Sequence, residues 1–331
     1  MEDLEREYHK ILADYVKEQS ERTLYIGQNF VRQLIRRNIS PEDVVSLHKD
    51  AVETIYPAQF DELRLAYDFL IEMMVHYGMA MREHQSLLQK QAEIQMEMNI
   101  AANVQKTMLK TPIPSDMTID IGMLSKPLKN VNGDYVHFID DKKYISVAVT
   151  DVVGKGVPAA LCMSMVKFGL ESMEEYAHDP EHVLGVLNRI VERNVDDSMF
   201  ISMFYGCYLR EWGLFYYASA GHEPAFLYRA EENKFYDLEA KGMLLGIVPT
   251  TKYKRSEVLL EDGDIIVIVT DGVTEFRRDD TVDERQVVAS LIHDVKGLPA
   301  QSICEYLYSE LEEMQEFELK DDFSVVVIKK V

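Results

Sequence analysis

The chain has 331 residues, a formal net charge of -22 and a hydrophobic fraction of 47%. This length is typical of about two domains, and the apolar content is sufficient for a packed core in each, which excludes a wholly disordered chain. The strong negative charge argues against nucleic acid or an anionic membrane surface as a partner. The longest aliphatic run, Ile265 to Val269, is far shorter than the ~20 residues of a membrane-spanning helix.

The cysteines and the amino terminus indicate a reducing compartment. Cys162, Cys207 and Cys304 show neither disulfide-like pairing nor metal-ligand spacing, so we expect reduced, buried thiols. Residues 1–10 are charged and contain no apolar signal core. We therefore expect a soluble protein of the cytoplasm.

The N-terminal third has an all-helical pattern. Apolar residues recur at helical spacing over residues 4–109, a stretch with only two prolines and two glycines. Ser40 precedes Pro41 and two acidic residues, which is a strong signal for a helix start. The pattern predicts helices near 2–20, 22–37, 41–56 and 60–82. Four helices are enough for a small bundle, which we assign to residues 1–84.

Residues 85–112 continue the helical pattern with heptad spacing. The heptad positions are Leu87, Gln91, Ile94, Met98, Ala101, Gln105 and Met108. Because two of these residues are glutamine and one is alanine, an isolated coiled coil here would be weak. Two interpretations stay open: a solvated helical linker at the edge of the bundle, or a marginal dimeric coiled coil suited to switching. Pro112 and Pro114 then end the helix.

After Pro114, patterns typical of β-strands appear between pairs of helices. The predicted strands are 118–124, 135–139, 144–150, 200–209, 214–218, 225–228, 255–260, 265–270 and 323–328. The predicted helices are 158–176, 180–193, 284–295 and 299–314. Since the strands come in consecutive groups, we expect residues 113–331 to form a layered α+β domain of antiparallel sheets.

Four short acidic motifs lie at the ends of predicted strands. They are Asn132-Gly133-Asp134-Tyr135, Asp151-Val152, Thr270-Asp271-Gly272 and Asp321-Asp322. Each alone has an ordinary explanation as a turn or a solvated cap. Together at one edge of a sandwich, the carboxylates would repel each other unless a metal neutralised them. Oxygen ligands without cysteine or histidine suit Mg²⁺ or Mn²⁺, and a pair of such ions can clamp the oxygens of a phosphate ester.

This constellation resembles the metal-dependent PPM (PP2C-like) protein phosphatases, in the bacterial SpoIIE-type branch. The resemblance covers nearly all of residues 113–331. Its motifs include Gly154-Lys155-Gly156 with Pro158-Ala159-Ala160, the segment from Ala218 to Pro224, and Thr270-Asp271-Gly272. It implies a PPM-type α/β/β/α sandwich behind the N-terminal bundle and the coiled-coil-like linker.

The resemblance also implies a site for two Mn²⁺ or Mg²⁺ ions. In that site Asp151 would bridge both ions. The backbone carbonyl of Val152 would contribute to one of them, and Asp134 would complete its coordination. Asp271 and Asp321 would hold the other ion, which makes the four aspartates the catalytic residues, acting through a metal-bound hydroxide.

Asp322 and Gly133 are further candidates beside these ligands. Asp321 is preferred over Asp322 because the ligand of the family is the first acidic residue of this motif. Asn132 stands where relatives more often have glycine. We expect this substitution to be tolerated because asparagine adopts positive φ more easily than most residues.

Lys155 and His222 are weaker candidates for contacts with the substrate. Lys155 lies between two glycines in a loop that would suit a phosphate, but the spacing is not that of a P-loop. His222 would serve as a general acid, although in Ala-Gly-His-Glu-Pro it more simply fixes a turn. We expect no organic cofactor.

The implied reaction is direct hydrolysis of a serine or threonine phosphoprotein, without a covalent phospho-enzyme. The resemblance implies a phosphoserine STAS-domain anti-anti-sigma factor as substrate and a kinase-like activator that binds the N-terminal region or linker. It thereby implies a role in the bacterial general stress response. We expect a homodimer through the N-terminal domain, and neither nucleic acid nor a membrane as a partner.

Two alternatives from other functional classes remain. A catalytically silent dimeric scaffold would not need four intact acidic motifs. A two-metal nucleotide cyclase would also follow a coiled-coil linker, but it would need elements that recognise a purine and a ribose, and we find none in the sequence.

Overall fold

The computed structural model describes the chain except for residues 1, 19, 38, 58–59, 129–131, 154–156, 196–198, 276–282, 316 and 318. The described residues form two compact units, Met1–Gln95 and Met96–Val331. The predicted division into 1–84, 85–112 and 113–331 stays a prediction. None of the described helices is both long enough and apolar enough to cross a membrane.

The helices follow the predicted order. They are α1 (Glu2–Glu18), α2 (Glu21–Arg36), α3 (Pro41–Ile55), α4 (Phe60–Met108), α5 (Val157–Glu171), α6 (Pro180–Asn194), α7 (Asp271–Thr274), α8 (Glu284–Val295) and α9 (Ala300–Met314), with a 3-10 turn at Glu174–Tyr176. Helix α3 begins where the capping signal predicts, because the Ser40 side chain accepts a hydrogen bond from the Asp43 amide. The N-terminal unit has a small core of its own around Leu4, Phe30 and Leu34.

Helix α4 joins two predicted segments into one. The helix runs on past residue 82, as the continuing helical pattern of residues 85–112 predicts, since residues 79–110 contain neither glycine nor proline to end it. The heptad positions do not share one environment. Leu87 and Ile94 are 59% and 61% exposed, whereas Gln105 is 5% exposed within the C-terminal unit. Exposed Leu87, Gln91 and Ile94 can therefore meet a partner helix, and Gln105 cannot.

The strands form two antiparallel sheets. They are β1 (Ile119–Lys126), β2 (Asp134–Asp140), β3 (Tyr144–Val153), β4 (Phe200–Leu209), β5 (Leu214–Ala220), β6 (Ala225–Arg229), β7 (Lys234–Leu238), β8 (Ser256–Leu259), β9 (Ile265–Val269) and β10 (Phe323–Lys330). One sheet has the order β1-β10-β9-β6-β7 and the other has the order β2-β3-β4-β5-β8. The adjacent strand pairs are antiparallel.

The central core lies between the two sheets. Val147 and Val149 of β3 pack in it with Ile266 and Ile268 of β9. Each of these side chains is at most 1% exposed. Because neighbouring residues of a strand point to opposite faces, the residues between them must face outward to the helices.

The outward faces of the sheets are covered by helices. Ala148 of β3 packs with Leu184 and Leu187 of α6, and Val267 of β9 packs with Ile303 of α9. The layers are therefore helices, sheet, sheet and helices. The predicted α+β sandwich of antiparallel sheets is confirmed.

Two short elements were not predicted from the sequence. Among the described strands, β7 pairs only with β6, at a sheet edge, and its pattern Lys-Phe-Tyr-Asp-Leu is largely exposed. Helix α7 is a single turn that begins at Asp271. Both lack the long apolar period that makes an element recognisable in a sequence.

Candidate active site

Two of the predicted ligands lie opposite each other on neighbouring strands. Asp134 is the first residue of β2, and its partner in the antiparallel register is Asp151 near the end of β3. Directly opposed residues share one face of a sheet, so both carboxylates occupy the same side. Like charges in this arrangement are destabilising unless something neutralises them.

Asp134 is buried and bonded to the other sheet. It is 2% exposed, and its Oδ2 accepts a hydrogen bond of 2.7 Å from the Thr270 hydroxyl, directly after β9. Burial, followed by the negative charges of Asp151 and Asp322, raises the pKa of Asp134 well above its usual range, while the Thr270 bond opposes this rise. Thr270 therefore ties Asp134 to the motif that contains Asp271.

Asp151 and Asp271 link the remaining motifs. Burial, followed by the charges of Asp271, Asp321 and Asp322, raises the pKa of Asp151 to about 7. Burial and the charges of Asp321 and Glu275 raise the pKa of Asp271 as well. The structure thus brings Asp134, Asp151, Asp271 and the Asp321-Asp322 pair into one electrostatic neighbourhood.

The two aspartates before β10 have different roles. The Asp322 carboxylate accepts two backbone hydrogen bonds, one of 2.7 Å from the Leu128 amide and one of 2.5 Å from the Gly133 amide. Asp321 is exposed, and its Oδ1 accepts a bond only from the next backbone amide among the hydrogen bonds described. Asp322 therefore holds the backbone at Leu128 and at Gly133, while Asp321 has carboxylate capacity left for a cation.

Gly133 and Val152 border the same space. The Val152 amide donates a hydrogen bond of 3.1 Å to the Gly133 carbonyl. A Cβ added at Gly133 would lie 3.0 Å from Asp322 Oδ2, 3.6 Å from the Val152 carbonyl oxygen and 3.7 Å from Asp151 Oδ1. Because Gly133 has no side chain, the space between these oxygen atoms stays open.

The chemistry of these groups fits hard divalent cations. Among the described residues, no three acidic, histidine or cysteine side chains are gathered closely enough to form a finished metal site. The donors that converge are carboxylate and carbonyl oxygens, and the charges that raise the pKa of Asp151 are all carboxylates. Such a site favours Mg²⁺ or Mn²⁺, and cation binding would relieve the repulsion that keeps the carboxylates apart.

His222 lies in the fold and Lys155 lies outside the described residues. The His222 ring is 8% exposed. Its Nδ1 is 2.8 Å from the Ser202 hydroxyl and its Nε2 is 3.0 Å from the Val269 carbonyl oxygen. Burial lowers its pKa to about 4, so the neutral ring accepts at Nδ1 and donates at Nε2. His222 therefore holds the end of β9, directly before Thr270 and Asp271.

The sequence did not reveal the roles of the Thr270 and Asn132 side chains. Thr270 was only a member of a motif, yet its hydroxyl bonds to Asp134 and accepts the Ser324 amide at 3.0 Å. The Asn132 side chain accepts a hydrogen bond of 3.0 Å from the Asp134 amide. A threonine directly before the Asp-Gly motif was the available signal for the first of these roles.

Gly272→Ala should destabilise the protein. A Cβ at Gly272 would lie 2.0 Å from the backbone oxygen of Asp322, so the two motifs would have to separate, at a cost of about 1–3 kcal/mol or more. The midpoint of thermal unfolding measures this effect. Gly185→Ala in α6 is the matched control, because nothing lies within 4 Å of its added Cβ, and it should stabilise by about 0.5–1 kcal/mol. Equal midpoints for the two variants would contradict the close approach.

Thr270→Val should weaken divalent-cation binding. The substitution keeps the shape but removes the donor to Asp134 and the acceptor of the Ser324 amide. We expect a Mn²⁺ dissociation constant about 10-fold higher or more, and a loss of about 1–3 kcal/mol of stability from the unpaired amide. Calorimetric titration and urea unfolding measure the two effects. Thr270→Ser keeps the hydroxyl and should behave like the wild type; a valine variant with unchanged Mn²⁺ affinity would refute the role of the hydroxyl.

Two family models match the chain. The model of "Stage II sporulation protein E (SpoIIE)" matches residues 141–331, and the model of "Phosphoserine phosphatase RsbU, N-terminal domain" matches residues 6–80. The first covers Asp151, Asp271 and Asp321, while Asp134 lies just before it.

A curated relative and solved structures agree with these models. The chain is 46% identical over 327 residues to phosphoserine phosphatase RsbU of Bacillus subtilis (strain 168), covering 99% of this chain and 98% of the relative. The fold resembles the SiaA PP2C domain of Pseudomonas aeruginosa, with a TM-score of 0.62, 18% identity and coverage of 73% of this chain and 99% of that chain. It also resembles the PP2C phosphatase domain of Bacillus subtilis SpoIIE with a fragment of its regulatory domain, with a TM-score of 0.57, 18% identity and coverage of 65% and 64%.

Phosphatases of this family are metal-dependent and use Mn²⁺ or Mg²⁺. The relationship over nearly the whole chain favours phosphoester hydrolysis over the scaffold and cyclase alternatives. The chain therefore belongs to the RsbU family of PP2C-like phosphoserine phosphatases, with a SpoIIE-type catalytic domain.

Proposed function

We propose that the phosphatase works with two Mn²⁺ or Mg²⁺ ions held at the four acidic motifs. Asp134, Asp151, Asp271, Asp321 and the Val152 carbonyl would hold these ions, with Asp151 contributing to both. The observation that supports this assignment is the convergence of the motifs. Asp134 lies opposite Asp151 in the β2–β3 register, and burial together with the carboxylates of Asp271 and Asp321 raises the pKa of Asp151. When bound, two such ions activate a water molecule and neutralise the charge of the phosphoryl oxygens during in-line attack.

The side chains of the protein prepare this site in three ways. Thr270 stabilises the charged form of Asp134 by a hydrogen bond, in a place where burial disfavours that charge. Asp322 holds the loop at Gly133 by accepting its amide. His222 fixes the end of β9 through the Val269 carbonyl. Because the attacking group in this proposal is water, the mechanism requires no side-chain nucleophile, and none of these groups forms a covalent bond to phosphorus.

The substrate that we propose is a phosphoserine STAS-domain anti-anti-sigma factor. The activator that we propose is a kinase-like protein of the RsbT type, which binds the N-terminal domain or the linker. Activation would then promote general stress-response transcription in the cytoplasm. The similarity to the Bacillus subtilis relative over 99% of the chain supports this, as does the match of residues 6–80 to the RsbU N-terminal domain.

We further propose that residues 1–84 form the partner-binding and dimerisation domain, that 85–112 form the linker and that 113–331 form the catalytic domain. The exposed apolar side chains of Leu87 and Ile94 support a partner-binding role for the linker. Surface leucine and isoleucine on one helix face are typical of a helix that meets another helix.

Phosphate release from a phosphoserine STAS protein tests the catalytic assignment. With Mn²⁺ and the kinase-like activator present, Asp271→Asn should lower kcat/KM about 100-fold or more, because a lost cation removes several kcal/mol of transition-state stabilisation. Asp262→Asn is the control, since the Asp262 side chain is 86% exposed, and it should retain wild-type turnover. Comparable activity of the two variants would exclude Asp271 from the ligand set.

Gln91→Leu should raise activity without the activator. Gln91 lies on the exposed heptad face between Leu87 and Ile94. One additional buried leucine contributes about 1.5–3 kcal/mol to helix pairing, which would favour the paired form about 10- to 100-fold. Phosphate release and sedimentation at matched protein concentrations measure this. Gln89→Leu, exposed on the same helix but outside the heptad, should leave both unchanged; a paired Gln91→Leu variant with no added activity would contradict the proposal.

A further inference from the structure

The end of α4 holds the backbone just before Asp134. Gln105 is 5% exposed. Its Nε2 donates a hydrogen bond of 2.9 Å to the Asn132 carbonyl, and its Oε1 accepts one of 3.3 Å from the Asn132 amide. A single glutamine thus satisfies both backbone groups of a residue that lies two positions before a proposed metal ligand.

Asn132 passes this constraint on to Asp134. Its Oδ1 accepts a hydrogen bond of 3.0 Å from the Asp134 amide, and its Nδ2 donates one of 3.0 Å to the Ser125 hydroxyl. The backbone of Asp134 is therefore fixed by a side chain whose own backbone Gln105 holds.

The Ser125 hydroxyl continues the path into the other sheet. Ser125 Oγ lies 2.9 Å from Ser324 Oγ, across the β1–β10 register. The Ser324 amide donates to Thr270 Oγ1 at 3.0 Å, and that hydroxyl donates to the Asp134 carboxylate at 2.7 Å. The bonds form a closed circuit, which we name the Asp134 ring. Its members are Asn132, Ser125, Ser324, Thr270 and Asp134, and Gln105 is attached to it through the backbone of Asn132.

Packing alone does not explain a glutamine at this position. Burying an amide side chain is costly unless it forms hydrogen bonds, and an apolar residue of similar size would fill the same volume without that cost. The end of α4 also has a separate anchor, because Lys167 Nζ of α5 donates a bond of 2.7 Å to the Met108 carbonyl. What Gln105 contributes beyond this anchor is its hold on Asn132.

We propose that Gln105 is a positioning residue for cation binding. Through Asn132 it fixes the backbone of Asp134, while Thr270 fixes the carboxylate, so that the ligand is presented in one orientation. This inference rests on the proposed function, in which Asp134 is a metal ligand. Residues that orient a ligand typically change metal affinity by 10–100-fold when they are removed.

Manganese binding by the full-length protein tests this role. Gln105→Met keeps the size of the side chain and removes both hydrogen bonds. We expect its Mn²⁺ dissociation constant, measured by calorimetry, to rise about 10-fold or more. We expect kcat at saturating Mn²⁺ to stay within about twofold of the wild type, because an oriented ligand set is recovered once the ions are bound. A merely structural role would lower kcat and the unfolding midpoint without this separation.

Two further variants serve as an intermediate case and as a control. Gln105→Glu retains the acceptor for the Asn132 amide, so its Mn²⁺ affinity should lie between those of the wild type and Gln105→Met, even if the methionine variant folds poorly. Gln89→Met is the matched control, because Gln89 is exposed on the same helix and bonds only to Glu93 among the contacts described. It should bind Mn²⁺ like the wild type.

Hydrogen exchange gives a readout without metal. In the metal-free protein, the Asp134 amide should exchange faster in Gln105→Met than in the wild type, and the Asn132→Ala variant should show the same effect. Since both substitutions break one path, the double variant should bind Mn²⁺ no more weakly than Asn132→Ala alone, within about twofold. Additive losses would overturn the path through Asn132.

The outcomes separate this inference from the proposed function. If Gln105→Met binds Mn²⁺ like the wild type while Asp271→Asn binds it weakly, Gln105 is not a positioning residue and the two-ion site stands. If Asp271→Asn also binds Mn²⁺ like the wild type, the proposed ligand set fails, and the role of Gln105 fails with it.

Discussion

Repulsion between buried carboxylates is the constraint around which the catalytic unit is organised. The packing of Val147 and Val149 between the sheets fixes which face of β3 points inward, and the β2–β3 register then places Asp151 opposite Asp134. The hydrophobic core thus imposes an arrangement that is unfavourable for the charges at its edge. In the proposed site a cation would resolve this conflict, because it would bind to the same oxygen atoms whose mutual repulsion opposes their convergence.

Much of the fold was predictable because apolar periodicity determines both the element and the face that it buries. The run Ile265 to Val269 predicted a buried strand, and the acidic motifs at strand ends predicted a shared site. The register of β2 against β3 was not predictable, since it arises from contacts between distant segments. The opposition of Asp134 and Asp151 therefore became visible only in the structure.

The role of Gln105 could not be predicted because the residue lies at a heptad position. A residue at a heptad position gives the same sequence signal whether the helix meets a partner or packs on its own domain. In the structure Leu87 and Ile94 stay exposed while Gln105 is buried and bonded. The hydrogen bonds of Thr270 and Ser324 could not be predicted from the sequence either. Threonine and serine are ordinary residues at strand ends, and their bonding partners are known only once the positions of the two sheets are known.

The Asp134 ring both stabilises the charge of the Asp134 carboxylate and fixes its orientation, which apolar surroundings could not do. In its proposed role as a metal ligand, the Asp134 carboxylate must be charged, yet its burial disfavours that charge. The Thr270 hydroxyl reduces this penalty from one side, and the Asn132 side chain fixes the backbone from the other. Loss of one bond in the ring leaves a buried polar group unpaired, and a buried polar network is favourable only when its members are satisfied. Orientation of the ligand and stability of its charge are thus carried by the same few hydrogen bonds.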